Sequence, residues 1–155
     1  MAGKIEARLA ELGIVLPPAP APAANYVPFT VSRGTVYVAG QVPFVDGKIG
    51  HRGRVGETYT VSEGRAVARI CGLNILAQLK AACGGDLDRV VRCLKVGGFV
   101  ACPDGFAEQP EVVNGASDLM VEVFGEAGRH ARFAVGSNAL PRNVPVEVDA
   151  VFEID

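Results

Sequence analysis

The sequence predicts an α+β fold in which helices cover one face of a mixed β-sheet. Three observations support this class. Apolar residues recur at helical spacing in three segments, apolar and polar residues alternate along the last strand, and turn-forming residues separate the segments. The resulting order is helix, strand pair, helix, strand, helix, strand pair, and the length of 155 residues fits one domain.

Residues 1–24 are predicted to form an N-terminal extension of this domain. Ile5, Leu9 and Leu12 share one stripe, which predicts a short helix over residues 3–12. Four prolines between positions 17 and 22 then favour an extended, polyproline-like connection that crosses the surface of the domain or that of a neighbouring subunit.

Two dipeptides predict tight hairpins in the first half of the chain. Arg33-Gly34 lies between the strand-like runs "FTVS" and "TVYVAGQVP". Asp46-Gly47 has the same turn chemistry and predicts a second, smaller hairpin.

A long helix is predicted next, over residues 61–83, where apolar residues recur at helical spacing and no proline interrupts them. Ser62 is interpreted as the signal for its start, and Gly84-Gly85 as the signal for its end.

A largely buried strand is predicted within "RVVRCLKVGGFVAC", residues 89–102, which is expected to be weakened or to form a bulge at Gly97-Gly98. Apolar residues at helical spacing then predict a further helix over about residues 111–126.

The last two strands are predicted to start near Arg132 and Val146. The period of two in "VPVEVDAVFEI" places Glu147 and Asp149 on the face opposite the core. If these two strands pair across the turn "NALPRN", Arg132 lies on the same face as Glu147, which would put a cation and a carboxylate in one site. A surface ion pair at a sheet edge is the alternative interpretation of the same pattern.

The composition excludes several classes of partner. The formal net charge is −2, which does not favour binding to nucleic acid. Charged residues interrupt the apolar positions of the first segment, so we expect no membrane partner and a cytoplasmic location. The four cysteines form no CxxC pair and no glycine motif matches a phosphate loop, so we expect neither a metal nor a cofactor.

Six segments then carry a resemblance to a known family. They are "NYVPF", "VYVAGQVP", "GLNILAQLKAA", "VVRCLKVGGFV", "VNGASDLMVEVF" and "HARFAV" with its following "LPRNVPVEVDA". In this order, across residues 25–155, they resemble the Rid (reactive intermediate deaminase) or YjgF-like family, also labelled endoribonuclease L-PSP. The N-terminal extension is similar to that of the larger branch of the family.

The resemblance implies a chorismate-mutase-like fold, assembly as a homotrimer and ligand clefts between subunits. It implies that Arg132 grips a substrate carboxylate, for which the two parallel donors of a guanidinium are suited. It also implies that Glu147 orients or deprotonates a water molecule. The other residues expected to line the cleft are Tyr26, Ala39, Gly40, Asn114, Phe133 and Ala134.

The resemblance implies hydrolysis of 2-imino or enamine acids to a 2-keto acid and ammonia. Ala39 and Ala134 stand where deaminase members often carry hydroxyl or thiol groups, which favours the alternative of a non-catalytic trimer that binds a small carboxylate. A ribonuclease is the least favoured alternative, because His51 and His130 have no evident partner and the net charge does not attract phosphate. Cys102 as a nucleophile also lacks an identified base.

Overall fold

The computed structural model describes residues 2–22 and 24–155. Its helices are α1 (Lys4–Glu11), α2 (Val61–Ala82) and α3 (Gln109–Phe124). Its strands are β1 (Phe29–Ser32), β2 (Thr35–Gln41), β3 (Phe44–Val45), β4 (Lys48–Ile49), β5 (Val90–Ala101), β6 (Ala131–Ser137) and β7 (Val146–Ile154). Short 3₁₀ turns cover Leu87–Arg89, Gly125–Gly128 and Pro141–Asn143.

The main sheet has five strands in the order β1-β2-β7-β5-β6. The pair β5–β6 is parallel and the other neighbours are antiparallel, so the sheet is mixed as predicted. A parallel pair needs a crossover connection, and α3 provides it between β5 and β6. The α+β class is therefore confirmed.

The hydrophobic core lies between the sheet and the helices α2 and α3. Along β7 the buried residues alternate with more exposed ones, which confirms the predicted period of two. The largest fully buried side chains include Phe152 from β7, Ile75 and Leu79 from α2, and Leu119 and Met120 from α3. Burying each of these side chains stabilises the fold by about 1.5–3 kcal/mol relative to leaving it exposed to water.

Both predicted hairpins are confirmed by their backbone conformation. Arg33 and Gly34 have φ angles of 49° and 74°, and Asp46 and Gly47 have φ angles of 51° and 73°. Positive φ at both central residues defines the turn whose twist matches that of two antiparallel strands.

The N-terminal helix is confirmed and docks on the turn before β5. Its first backbone N–H groups, from Lys4 and Ile5, each donate to the Asp88 carboxylate at 2.8 Å. These hydrogen bonds lower the pKa of Asp88, since they favour its charged form. Glu6 also pairs with Lys80 of α2 at 2.7 Å, and Nε of Arg8 donates to the Glu122 carbonyl of α3 at 2.9 Å, so α1 is held against the domain at several points.

The proline-rich segment crosses the surface of its own chain. The carbonyl of Pro20 accepts a 2.5 Å hydrogen bond from Nε2 of Gln78, a residue of α2 that is only 1% exposed. No helix or strand forms between α1 and β1 in the described residues, as predicted, and the polyproline-like backbone of this connection stays a prediction.

The predicted start signal of α2 is wrong, although the helix itself is confirmed. Thr60, not Ser62, is the N-cap: its Oγ1 accepts from the Glu63 N–H at 3.1 Å, and the Glu63 carboxylate accepts from the Thr60 N–H at 3.3 Å. A capping box requires a spacing of three residues, which Thr60 has and Ser62 lacks. The helix ends before Gly84 and Gly85, whose φ angles of 66° and 95° confirm the predicted end.

The predicted bulge at Gly97-Gly98 is also wrong. The register runs through both glycines without interruption, and the irregularities of β5 lie nearer its start, between Val90 and Arg92 and between Cys93 and Lys95. Glycine is required at these two positions because neighbouring side chains approach the backbone closely. A Cβ on Gly97 would collide with the side chains of Asp149 and Phe133, and a Cβ on Gly98 would collide with Val113 of α3.

Within the described residues, no helix has the length and apolar character that crossing a membrane requires.

Replacement of the capping residue tests the corrected start of α2. We expect Thr60→Ala to lower the free energy of unfolding by about 1 kcal/mol, because the Glu63 N–H loses its acceptor. Ser62→Ala is the matched control and should change it by less than about 0.5 kcal/mol. Urea denaturation of both variants measures the difference, and an equal or larger loss for Ser62→Ala would contradict the assignment.

Candidate functional site

The predicted site residues fall into two groups on opposite faces of the sheet. β6 pairs with β5 rather than with β7, so the expectation that Arg132 shares a face with Glu147 is wrong. Both edges of β7 are already occupied, by β2 and by β5. Arg132 aligns with buried Val96 and Ala150, on the side covered by helices, whereas Glu147 aligns with exposed Phe99 on the other side.

Glu147 lies in a space that is kept open by a glycine. The register of β2 against β7 is irregular between Val38 and Gln41, which takes Ala39 and Gly40 out of the regular ladder. A Cβ on Gly40 would stand 2.5 Å from Oε1 of Glu147. The glycine of the G-Q-x-P step therefore makes room for the carboxylate.

A cavity of about 380 Å³ opens beside this carboxylate. Its polar side chains include Glu147, Arg142, Gln41 and Tyr26, and the proline-rich segment forms one wall. The remaining lining residues are Pro20, Ala21, Pro22, Ala24, Pro28, Gly40, Val42, Phe44 and Pro141. The structure thus brings together three of the predicted site residues, Tyr26, Gly40 and Glu147.

The environment of Glu147 favours its protonated form. Partial burial raises the pKa of this carboxyl, and the negative charge of Asp149 raises it further. Burial raises the pKa of Asp149 as well, although the Gly97 N–H and the Lys95 ammonium oppose that rise. In the described part of the chain, Glu147 forms no ion pair within 4 Å that would offset these effects.

Arg132 belongs to a polar cluster between β6 and α3. Its Nη1 donates to Oδ1 of Asn114 at 2.7 Å and to Oγ of Ser117 at 3.1 Å. The same hydroxyl lies 2.9 Å from Nε2 of His130, whose Nδ1 lies 2.6 Å from the carbonyl of Gly128. Arg132 and Asn114, two of the predicted site residues, are therefore in direct contact, whereas Arg132 and Glu147 are not on one face.

The two residues after Arg132 point to opposite sides. Phe133 lies on the Glu147 face. Its ring centroid lies 5.3 Å from that of Phe99, in an edge-on arrangement, and 5.5 Å from Nζ of Lys95. Ala134 lies on the helix-covered face and packs against the core. Their predicted role in the cleft stays a prediction.

Sequence reasoning missed three residues of these two groups. Arg142 lines the cavity with Glu147, and its Cζ lies 5.9 Å from the centroid of the Phe44 ring. The turn "NALPRN" that carries it predicts only a connection between strands. Ser117 and His130 were also missed as partners of Arg132. The i,i+3 spacing of Asn114 and Ser117 on α3 was the available signal, because such residues share one helix face.

The other chemically active side chains do not extend the site. Cys102 is buried, and Nε2 of Gln109 lies 3.9 Å from its sulfur. The ring of His51 is tilted against that of Tyr59, with 5.9 Å between the two ring centroids. No cluster of three His, Cys, Asp or Glu side chains suited to a metal occurs in residues 2–22 and 24–155.

Comparison with known proteins agrees with this fold. The family model described as "YjgF/chorismate mutase-like, putative endoribonuclease" matches residues 6–153. Protein TCP17 of Trypanosoma cruzi is 49% identical over 154 residues, covering 99% of this chain and 96% of its own. The chain therefore belongs to the YjgF/chorismate mutase-like family, as the resemblance predicted.

Solved structures give the same result. The crystal structure of Atu1372 from Agrobacterium tumefaciens is 52% identical, with a TM-score of 0.90, over 97% of this chain and 92% of that one. Escherichia coli TdcF, solved with bound serine, is 20% identical, with a TM-score of 0.62, over 88% of this chain and 94% of that one. The second likeness shows the shared fold.

The raised pKa of Glu147 predicts a pH-dependent effect on stability. Because the pKa of Glu147 is higher in the folded than in the unfolded protein, the folded state binds more protons at pH values between the two pKa values. The free energy of unfolding therefore falls as the pH rises through that range. We therefore expect Glu147→Gln to be more stable than the wild type at neutral pH, with the difference vanishing in acid.

Urea denaturation at equal protein concentration, repeated across pH, measures this difference. The exposed Glu153 of the same strand and face supplies the control, Glu153→Gln. A Glu147→Gln variant that is less stable than the wild type at neutral pH would contradict the account of the site.

Proposed function

We propose that the protein is a hydrolytic deaminase of 2-imino or enamine acids, which acts at clefts between the subunits of a homotrimer. The observation that supports this best is the half-buried carboxylate of Glu147, which has no ion-pair partner in the described residues, beside a cavity of substrate size. A carboxylate whose pKa is raised toward neutrality is suited to exchange protons with water. Serine bound in TdcF, a protein of the same fold, is consistent with an amino-acid-like ligand.

The opposite placement of Arg132 and Glu147 supports a cleft that two copies of the chain share. Within one copy the sheet separates the two side chains, so a site that uses both needs Arg132 of a neighbouring copy. The outer face of the sheet also exposes large apolar side chains that an assembly would cover, among them Tyr37, Phe99 and Val135 at 51%, 39% and 42% exposure. We propose that these side chains pack in the trimer.

In the proposed reaction, Arg132 holds the carboxylate of the substrate and Glu147 accepts a proton from water. The hydroxide so formed attacks C2 of the imine while Glu147 passes the proton to the nitrogen, which gives a tetrahedral amino alcohol. Glu147 then takes the hydroxyl proton of this intermediate and transfers it to the nitrogen, so that the carbon–nitrogen bond breaks, ammonia leaves, and the carbon–oxygen double bond of the 2-keto acid forms. Water and imine are thus converted to keto acid and ammonia without a redox step.

The alternative is a trimer that binds a small carboxylate without turnover. Ala39 and Ala134 favour it, because neither side chain can hydrogen-bond a ligand. Retention of both Arg132 and Glu147 favours the deaminase. We do not propose a ribonuclease, since neither histidine lines the Glu147 cavity and the net charge is −2.

The assay follows the loss of 2-iminobutanoate, generated in place by a threonine dehydratase and trapped as the semicarbazone. We expect the wild type to accelerate hydrolysis and Glu147→Gln to lose about 10²–10⁴-fold in kcat, as removal of a general base does. Arg132→Lys should mainly raise KM, because lysine keeps the charge without the two parallel donors.

Glu153→Gln again serves as the matched control and should retain the wild-type rate. If a folded wild-type protein binds 2-oxobutanoate in calorimetry but does not accelerate hydrolysis, the non-catalytic alternative replaces the deaminase for this substrate. Full activity in Glu147→Gln would contradict the proposed role of the carboxylate.

A further inference from the structure

A hydrogen-bonded chain that runs from the Gly128 carbonyl to Arg132 has a defined direction. The Gly128 carbonyl can only accept, so Nδ1 of His130, 2.6 Å away, carries a hydrogen. In the neutral imidazole, Nε2 then accepts, and the hydroxyl of Ser117 at 2.9 Å donates to it. The Ser117 oxygen keeps its lone pairs for the Arg132 guanidinium at 3.1 Å.

The same chain determines which edge of the guanidinium is occupied. One N–H of Nη1 points to Ser117 and the other to Oδ1 of Asn114 at 2.7 Å. Both donors of Nη1 are therefore used by the protein. In the part of the chain that the structure describes, Nη2 and Nε have no partner, and the Nε hydrogen with the adjacent hydrogen of Nη2 forms the side-on edge that binds a carboxylate with two parallel hydrogen bonds.

Arg132 also keeps its charge available. Its side chain bonds directly to a neutral amide and to a hydroxyl, and that hydroxyl in turn contacts an imidazole. In the described residues it forms no ion pair with a carboxylate. Neutral acceptors orient a guanidinium without satisfying its charge, which is the arrangement that an anion-binding arginine needs.

We propose that Ser117 and His130 are positioning residues for Arg132, and that they present its Nε and Nη2 edge side-on to the carboxylate of the ligand. This inference rests on the proposed function, in which Arg132 binds that carboxylate. His130 acts through Ser117: by accepting the hydroxyl hydrogen, it turns the oxygen of Ser117 toward the guanidinium. Asn114 likewise orients Arg132 from its second side.

Three variants separate positioning from packing. Ser117→Ala removes the hydroxyl, His130→Leu removes the acceptor for it, and His130→Gln keeps an acceptor at the place of Nε2. In the 2-iminobutanoate assay we expect KM to rise about tenfold for the first two, with kcat changed less than about twofold, because ground-state and transition-state binding weaken together. His130→Gln should retain a KM within about threefold of the wild type.

The matched control is Ser62→Ala, which removes an exposed hydroxyl from the first turn of α2. It should leave KM and kcat unchanged. A merely structural role for His130 and Ser117 would lower the melting temperature of all three variants, His130→Gln included, without a selective rise in KM. That pattern, in folded protein, would overturn the proposal.

A readout that does not depend on activity distinguishes failure of this inference from failure of the proposed function. In ¹⁵N-labelled protein, the Arg132 guanidinium signals, assigned with Arg132→Lys, should be separate in the wild type and in His130→Gln. They should merge in Ser117→Ala and His130→Leu, where the group rotates faster because one of the two hydrogen bonds that orient Nη1 is lost or is no longer directed. If the signals merge in these two variants but the wild type has no deaminase activity, the positioning role stands and the proposed function is rejected. If the signals stay separate in these variants while the wild type is active, the positioning role alone is rejected.

Discussion

The position of β5 between β6 and β7 determines how the functional residues are arranged. Strand β5 uses one edge for the parallel partner β6 and the other for the antiparallel partner β7, so Arg132 and Glu147 are separated by a complete strand. The alternation of side chains then places them on opposite faces, because Arg132 aligns with core residues and Glu147 with Phe99. One chain therefore presents the two halves of the proposed site, a cation on the helix side and a carboxylate on the open side.

Each half of the proposed site is built by a different physical means. The glycine at position 40 leaves space for the Glu147 carboxylate, and burial with the nearby charge of Asp149 raises its pKa. Arg132 is instead oriented by directional hydrogen bonds from one helix face. Electrostatic tuning suits a group that exchanges a proton, and fixed geometry suits a group that recognises a planar carboxylate.

Local features of the fold were predictable from the sequence, whereas strand pairing was not. The helices and hairpins follow from periodicity and from turns such as Arg33-Gly34, which involve residues close in the chain. The partner of β6 depends on contacts between distant segments, and a single strand carries no information about its neighbour. Gly97 and Gly98 illustrate the same limit, because the side chains that exclude a Cβ there come from β6, β7 and α3.

Some residues of the candidate site could be predicted from the sequence, but its geometry could not. Similarity to the family indicated Tyr26, Gly40 and Glu147, which line one cavity, and Asn114 and Arg132, which are in contact. Arg142 escaped prediction because its turn, with φ of 58° at both Arg142 and Asn143, contains no glycine of the kind that marks the turns at Arg33-Gly34 and Asp46-Gly47. The contact of His130 with Ser117 depends on how α3 packs against β6, which only the tertiary structure determines.

Subunit complementation tests most directly whether Arg132 and Glu147 of different copies act in one site. Arg132→Ala and Glu147→Gln, each expected to be inactive alone, are unfolded together in equal amounts and refolded into mixed trimers. If every site takes one residue from each of two subunits, about a quarter of the sites regain both groups, and deaminase activity returns to about that fraction of the wild type. Mixed trimers, confirmed by mass, that remain inactive would contradict a shared site.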